Sequence, residues 1–320
     1  MIKNIFKAKP STAIIIVLAF FSIYVFWGST YLMNKVAVSE LPPLMLAAIR
    51  FITAGTLIFI IARLLGLPLT ITRPQIKNCI IAGFLFLTYG NGVIVWALKF
   101  VDSGFAALEA STQPLIILLL MRFFQGKKIR TMSVVGIVLG FIGIYLLVSQ
   151  QQLSTQEGST LGIIMIFTCI LSWSVGSLFV AKADLPPNYF INTGYQMLFG
   201  GIMLAISSFI VGETWISPLN WSGKVQASII GLILFGSIAA FTSFNYLLKV
   251  VSTEKVATSA YVNPIIAMLL GWYFLQEQIT LQSVIAAVIL LTGVYFINTK
   301  KKVLIFSRFS GRMGRMLDDT

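Results

Sequence analysis

The 320 residues contain no histidine, and their two cysteines, Cys79 and Cys169, lie far apart. Without histidine there is no imidazole base and no His-containing metal site. Two isolated cysteines make neither a disulfide framework nor a thiolate cluster, so no metal ligands are assigned. Acids are scarce as well, ten Asp and Glu against 23 Lys and Arg, and charged residues of both signs make up 10% of the chain. No HExxH and no paired carboxylates occur, so an intramembrane enzyme has no constellation to work with and no residue is assigned as catalytic. The phosphate-cradling pattern GxxxxGK[ST] is missing too, which argues against direct drive by ATP, and no cofactor is implied. The net charge of +13 does not point to nucleic acid. The basic residues sit in short loops and near the C-terminus, where an anionic membrane face would hold them.

Apolar side chains are abundant: 58% of residues are hydrophobic and the mean hydropathy is +0.92. A soluble fold could not bury that much apolar surface. Runs at 12–33, 43–65, 77–98, 103–121, 132–149, 161–181, 189–211, 225–249, 255–274 and 281–298 are each long enough to cross a hydrocarbon core as a helix. The expected fold is therefore an all-α polytopic membrane protein with ten transmembrane helices. The first run follows Lys3, Lys7 and Lys9, as a signal peptide would. It is too long, lacks a clean cleavage site and ends in Trp27 and Tyr31, so it reads as the first span. Turn chemistry punctuates the chain at Leu41-Pro42-Pro43, Gly66-Leu67-Pro68, Leu185-Pro186-Pro187 and Ser217-Pro218.

The chain repeats itself. Residues 110–147 and 260–297 align without a gap and share twelve identities, among them Pro114 with Pro264, Ser133 with Ser283, Gly143 with Gly293 and Tyr145 with Tyr295. The turn inside this unit breaks the match, with Lys127, Lys128 and Arg130 facing Glu277, Gln278 and Thr280. Lys and Arg mark cytoplasmic loops. With the N-terminus inside, 19 of them fall in inner segments and three, Lys35, Lys99 and Lys224, in outer ones; Arg50 lies within a span. Both ends of the chain are then expected in the cytoplasm. The polar connection 150–160 carries no Lys or Arg and divides the chain into 1–150 and 151–299, followed by a basic tail, 300–320. Five spans per half is an odd number, so the halves are expected to be inverted with respect to one another, an arrangement typical of transporters.

The opening parts of the halves match more weakly, WGSTYLMNKVAVSELPP from Trp27 against WSVGSLFVAKADLPP from Trp173. Together with LPPLMLAAIRFITAG at 41–55, QPLIILLL from Gln113 and NPIIAMLL from Asn263, this pattern resembles the EamA family of the drug/metabolite transporter superfamily over nearly the whole chain. The resemblance implies two inverted five-helix bundles around a central cavity, helices five and ten packed outside, and transport of amino acids, drugs and other small metabolites. The function expected is secondary transport in the inner membrane, as an exporter of small polar metabolites such as amino acids or related amines, by alternating access. Uptake or exchange of a nucleoside- or cofactor-type metabolite is the other reading within the superfamily. A channel would need a continuous polar lining, whereas the polar positions here cluster midway and outward. The partners implied are a small-molecule substrate and the lipid bilayer, with no nucleic acid.

Charges inside a bilayer are costly, and Arg50 and Glu109 are the two well within the spans. Both lie roughly 9–11 Å below the outer interface at 1.5 Å per residue. They read either as a buried ion pair joining two helices or as substrate contacts. In the second case Arg50 takes a carboxylate, and Glu109 an ammonium group or a transported proton. The resemblance implies a shared structural role for Arg50. Pro114 and Pro264 sit midway along their spans, where each crowds the carbonyl four residues back, Ala110 or Ala260, and is expected to kink its helix as a gate. Beside them stand Gln113 and Asn263; Glu109 and Gln113, four apart, share a helix face. Trp27, Tyr89, Asn91, Trp173, Tyr195 and Tyr261 complete the candidate substrate-binding set, and Ser177, Gln196 and Asn245 are further lining positions. Tyr31 and Trp96 read more naturally as interface anchors. Gly136, Gly140 and Gly143 give span five a smooth face for close packing, within a monomer or in a homodimer. The tail from Lys300 to Arg315 lies on the inner membrane face as an amphipathic segment or stays disordered. Single cysteines at 127 and 277 should react with an impermeant maleimide from opposite faces of the membrane; reaction from one face would overturn the inversion.

Overall fold

The computed structural model describes residues 12–126, 131–149, 157–251, 256 and 259–298. The turn with Lys127, Lys128 and Arg130, the tail 300–320 and the side chain of Tyr261 lie outside the described residues. Regular structure among the described residues is wholly helical, as an apolar chain in lipid requires, because the helix satisfies its own backbone.

The helices follow the expected runs: α1 (Thr12–Val38), α2 (Pro43–Leu64), α3 (Arg73–Ala97), α4 (Ser103–Ala110 and Gln113–Gln125), α5 (Thr131–Val148), α6 (Ser159–Val180), α7 (Tyr189–Ile210), α8 (223–250), α9 (Ser259–Leu275) and α10 (Leu281–Asn298). Seven are long and apolar enough to cross a membrane, and shorter apolar stretches occupy Met132–Leu147, Val262–Leu275 and Leu281–Phe296. The fold is that of a polytopic membrane protein. Helix ends follow the local sequence. Pro43 opens α2, where a missing N–H costs nothing, and Thr72 and Gln75 form a capping box on α3. Asn188 and Ser222 cap α7 and α8. Gly66 (φ 68°) and Gly212 (φ 77°) take the left-handed conformation just past α2 and α7.

Hydrophobic periodicity does not predict the three π-helical segments: Ser22–Phe26 in α1, Phe84–Asn91 in α3 and Leu232–Ala239 in α8. A π turn bonds i to i+5 and so carries an extra residue, which rotates every side chain beyond it.

The most extensive helix contacts join α2 to α7 and α5 to α10, and small residues set both distances. At Gly55 an added Cβ would stand 2.9 Å from the Leu198 nitrogen; at Gly201 it would stand 2.7 Å from the Ile52 nitrogen. The two contacts are reciprocal. Between α5 and α10, Gly143 receives Leu290, and Gly293 lies against the backbone of Gly136 and Gly140. The smooth face of α5 is thus covered within the chain. Lipid supplies no hydrophobic drive between helices, so this close packing holds them. Gly201→Leu should cost about 2–3 kcal/mol by overpacking and lower the melting temperature in detergent. Gly223→Ala, with nothing within 4 Å of its Cβ, should not.

Candidate functional site

A cavity of about 510 Å³ opens at the centre of the bundle, lined by residues of α1, α2, α3, α4, α6, α7, α8 and α9. Its size falls within the range of small-molecule sites, ~300–1,000 Å³. At one end Ala181, Ala183, Leu185, Pro186 and Val256 line it, in loops that the charge bias assigns to the inside. At the other end the lining stops at Asn34 and Leu98. Among the described residues, none from the opposite loops at 39–42, 99–102, 211–222 and 276–280 contributes.

The π segment of α8 organises one wall. Trp27 donates its indole N–H to the Gly236 carbonyl at 3.2 Å, and Arg50 donates Nε to Ser237 Oγ at 2.8 Å. An added Cβ on Gly236 would lie 3.1 Å from Arg50 Nη2, so the guanidinium rests on bare backbone. Its Cζ is 4.7 Å from the Phe51 ring centroid, a cation–π contact. Arg50 is 3% exposed and lines the cavity, yet its Nη1 has no hydrogen-bond partner. Trp27 meets Trp173 edge-on at 6.0 Å and Phe244 at 5.0 Å, and all three line the cavity with Phe241. Polar backbone, one cation and an aromatic wall therefore share one space.

The two prolines differ. Around Pro114, α4 breaks at Ser111 and Thr112. Pro114 offers no N–H to the Ala110 carbonyl, and Ala110, Ser111, Gln113 and Pro114 all face the cavity. Pro264, by contrast, lies inside the uninterrupted helix Ser259–Leu275, so the helix breaks at one proline and runs on through the other. The amides divide in the same way. Asn263 donates to the carbonyls of Ile23 and Tyr24 at 3.0 Å each, its amide being oriented by that network. It thereby satisfies backbone groups in the π segment of α1, although it also borders the cavity. Gln113 lines the cavity from the broken helix.

Trp27, Tyr31, Arg50, Asn91, Gln113, Trp173, Ser177, Asn245 and Asn263 all line the cavity; Tyr31 therefore faces it, besides any anchoring role. Glu109, Tyr89, Tyr195 and Gln196 are not among the lining residues. Glu109 is 4% exposed and lies behind the wall, its Oε2 without a partner. No hydrogen bond or ion pair joins it to Arg50, so the two do not form the buried pair that their matched depth allows. Tyr89, within the π segment of α3, is 37% exposed on the outside of the bundle, because the π register turns it away. Tyr195 meets Phe59 edge-on, stacks on Phe199 and donates to the Leu69 carbonyl at 2.8 Å. Trp96 packs at the edge of the apolar core. Gln196 donates to Asn192 at 2.8 Å, and Asn245 donates to Thr193 at 2.8 Å. In this buried amide network Asn192 is a lining residue that its i, i+4 spacing with Gln196 could have revealed. Gly236 and Ser237 carry no sequence signal at all.

Charged side chains close the far end. Glu277, after α9, accepts from the Ser103 and Gly104 amides at 2.8 and 3.1 Å and from Ser103 Oγ at 2.9 Å. Glu213, after α7, accepts from the Leu44 and Met45 amides at 3.0 and 2.8 Å. Each carboxylate from the second half thus meets the positive N-terminus of a first-half helix. Glu40 accepts from Ser222 Oγ at 2.7 Å, and Lys35 donates to the Leu98 and Val101 carbonyls at 2.8 and 2.7 Å.

The profile of the EamA-like transporter family matches residues 14–149 and again 160–299. The chain is 38% identical over 254 residues to the uncharacterized inner membrane transporter YedA of Escherichia coli K12, covering 79% of this chain and 80% of that one. It is 23% identical to the uncharacterized transporter YoaV of Bacillus subtilis 168, over 89% and 96% of the two chains. Against a probable amino-acid metabolite efflux pump of Escherichia coli K12 it is 26% identical, over 85% and 91%. A crystal structure 20% identical in sequence superposes with a TM-score of 0.64 over 89% of this chain and 96% of that one, which is a likeness of fold. With both stretches matched and a 38% identical relative covering most of its length, this chain belongs to the EamA-like transporter family.

Proposed function

We propose that the protein exports small polar metabolites of the amino-acid kind across the inner membrane, moving them through the central cavity by alternating access of its two inverted halves. The observation that carries this reading is the cavity itself: both halves line it, it reaches one set of loops, and the opposite loops are tied across. The charge bias makes the reached loops cytoplasmic, so the arrangement is inward-facing. Export and the substrate class draw support from the name of the efflux-pump relative, and the inner-membrane location from that of YedA. Rocking of one half against the other requires contacts that form in one state and break in the next. The carboxylate caps at Ser103 and Leu44 suit that use, since each joins the halves through a few charge-assisted bonds.

In a background lacking Cys79 and Cys169, a cysteine replacing Ile94 at the cavity wall should react with an impermeant maleimide from either face. Conditions that raise one rate should lower the other. Reaction from both faces at once would indicate a channel, and reaction from the inner face under every condition would defeat alternating access.

Glu277→Gln weakens bonds worth about 1–2 kcal/mol, and so should raise outer-face labelling of that cysteine roughly 5- to 30-fold. Unchanged labelling would show that Glu277 caps α4 without holding the closed end.

A further inference from the structure

Arg50 is the one charged residue among the described residues that line the cavity. Glu109 stands behind the wall, and no other acid borders the space among those residues. Among the described residues the lining therefore carries one positive charge in a low-dielectric setting, where an unbalanced charge is costly. The guanidinium is held by its Nε alone, through Ser237, and Nη1 is buried without a partner. A planar fork with free N–H groups matches a carboxylate bidentately. Phe51 lies against the guanidinium, and Trp27, Trp173, Phe241 and Phe244 line the same cavity as an aromatic wall.

We propose that the preferred ligand is an organic monoanion: one carboxylate on an apolar, ring-sized body, anchored by Arg50, with no free ammonium group. This rests on the transport reading but departs from its amino-acid class, because the charge of the site favours an acid over a zwitterion. A monoanion neutralises the cavity. A zwitterion leaves the site with its net positive charge and sets an ammonium group where no carboxylate meets it. An amine adds a second cation, and a phosphate dianion overshoots to net negative. Glu109 is then no partner for a substrate amine, and Arg50 determines specificity by charge as well as by shape.

The test is calorimetric titration of the purified full chain with four compounds of one shape: 3-phenylpropanoate, 3-phenylpropanamide, 3-phenylpropylamine and phenylalanine. The carboxylate should bind at least tenfold more tightly than the other three. In Arg50→Gln its affinity should fall to that of the amide, with amide binding unchanged. Ser237→Ala, which frees the guanidinium without removing it, should reduce the preference for acid over amide severalfold, and it keeps the test open if Arg50→Gln does not fold. Tightest binding of phenylalanine or of the amine, equal binding of acid and amide, or binding of none of the four would overturn the proposal. Those outcomes leave the two-sided labelling of the Ile94 position intact, whereas failure of the transport reading appears in that labelling.

Discussion

Lipid offers a polypeptide no hydrogen-bond partner, so every departure from the α-helix inside the bundle has to be answered by protein or by a polar cavity. The irregular segments obey that constraint one by one. Carbonyls in the π segment of α1 receive the Asn263 amide, and that of Gly236 in α8 receives the Trp27 indole. In the π segment of α3, Leu85 accepts from Ser172 Oγ at 2.8 Å. The break in α4 faces the cavity. Each answering side chain comes from the other half of the chain, so the irregular backbone is one of the places where the halves meet.

In α3 and α8 the irregular backbone also borders the cavity. π segments recur at functional sites because they expose backbone groups and re-aim side chains. In α8 the segment supplies both Gly236, whose missing side chain leaves room for a guanidinium, and Ser237, which orients it. The glycine contacts of α2 with α7 and of α5 with α10 form a stiffer frame around this centre. Packing at backbone distance leaves these pairs little freedom to slide.

The two copies of the repeat also differ in structure. Around Pro114 the helix is broken and Gln113 borders the cavity; around Pro264 the helix runs on and Asn263 is engaged with α1. The carboxylates that tie one end, Glu213 and Glu277, both belong to the second half and both cap first-half helices. At the other end Gln75 and Asn78 reach Asp184 through amide hydrogen bonds at 3.2 and 2.8 Å. The ends are thus held by different chemistry, carboxylates on helix N-termini against amides at an exposed loop.

Much of this protein was legible without coordinates. Hydropathy located the helices, because a span needs a certain length of apolar side chains whatever it packs against. The repeat picked out Pro114, and the rarity of charge in spans picked out Arg50 and Glu109. Composition could not tell the last two apart. Arg50 faces the cavity and Glu109 lies behind its wall, a difference of helix rotation that depends on neighbours absent from the local sequence. Tyr89 was misplaced for a related reason, since an extra residue in a π turn shifts the face without altering the apolar pattern. Ser237 and Gly236 were invisible because their roles exist only when α8 meets α1 and α2. The sequence by itself determined the spans, the duplication and the sidedness of charge, since those follow from transfer of each side chain between water and lipid. Only the tertiary structure decided which polar groups share one space and which are consumed in holding helices together, because that depends on the rotation and contact of helices far apart in the chain.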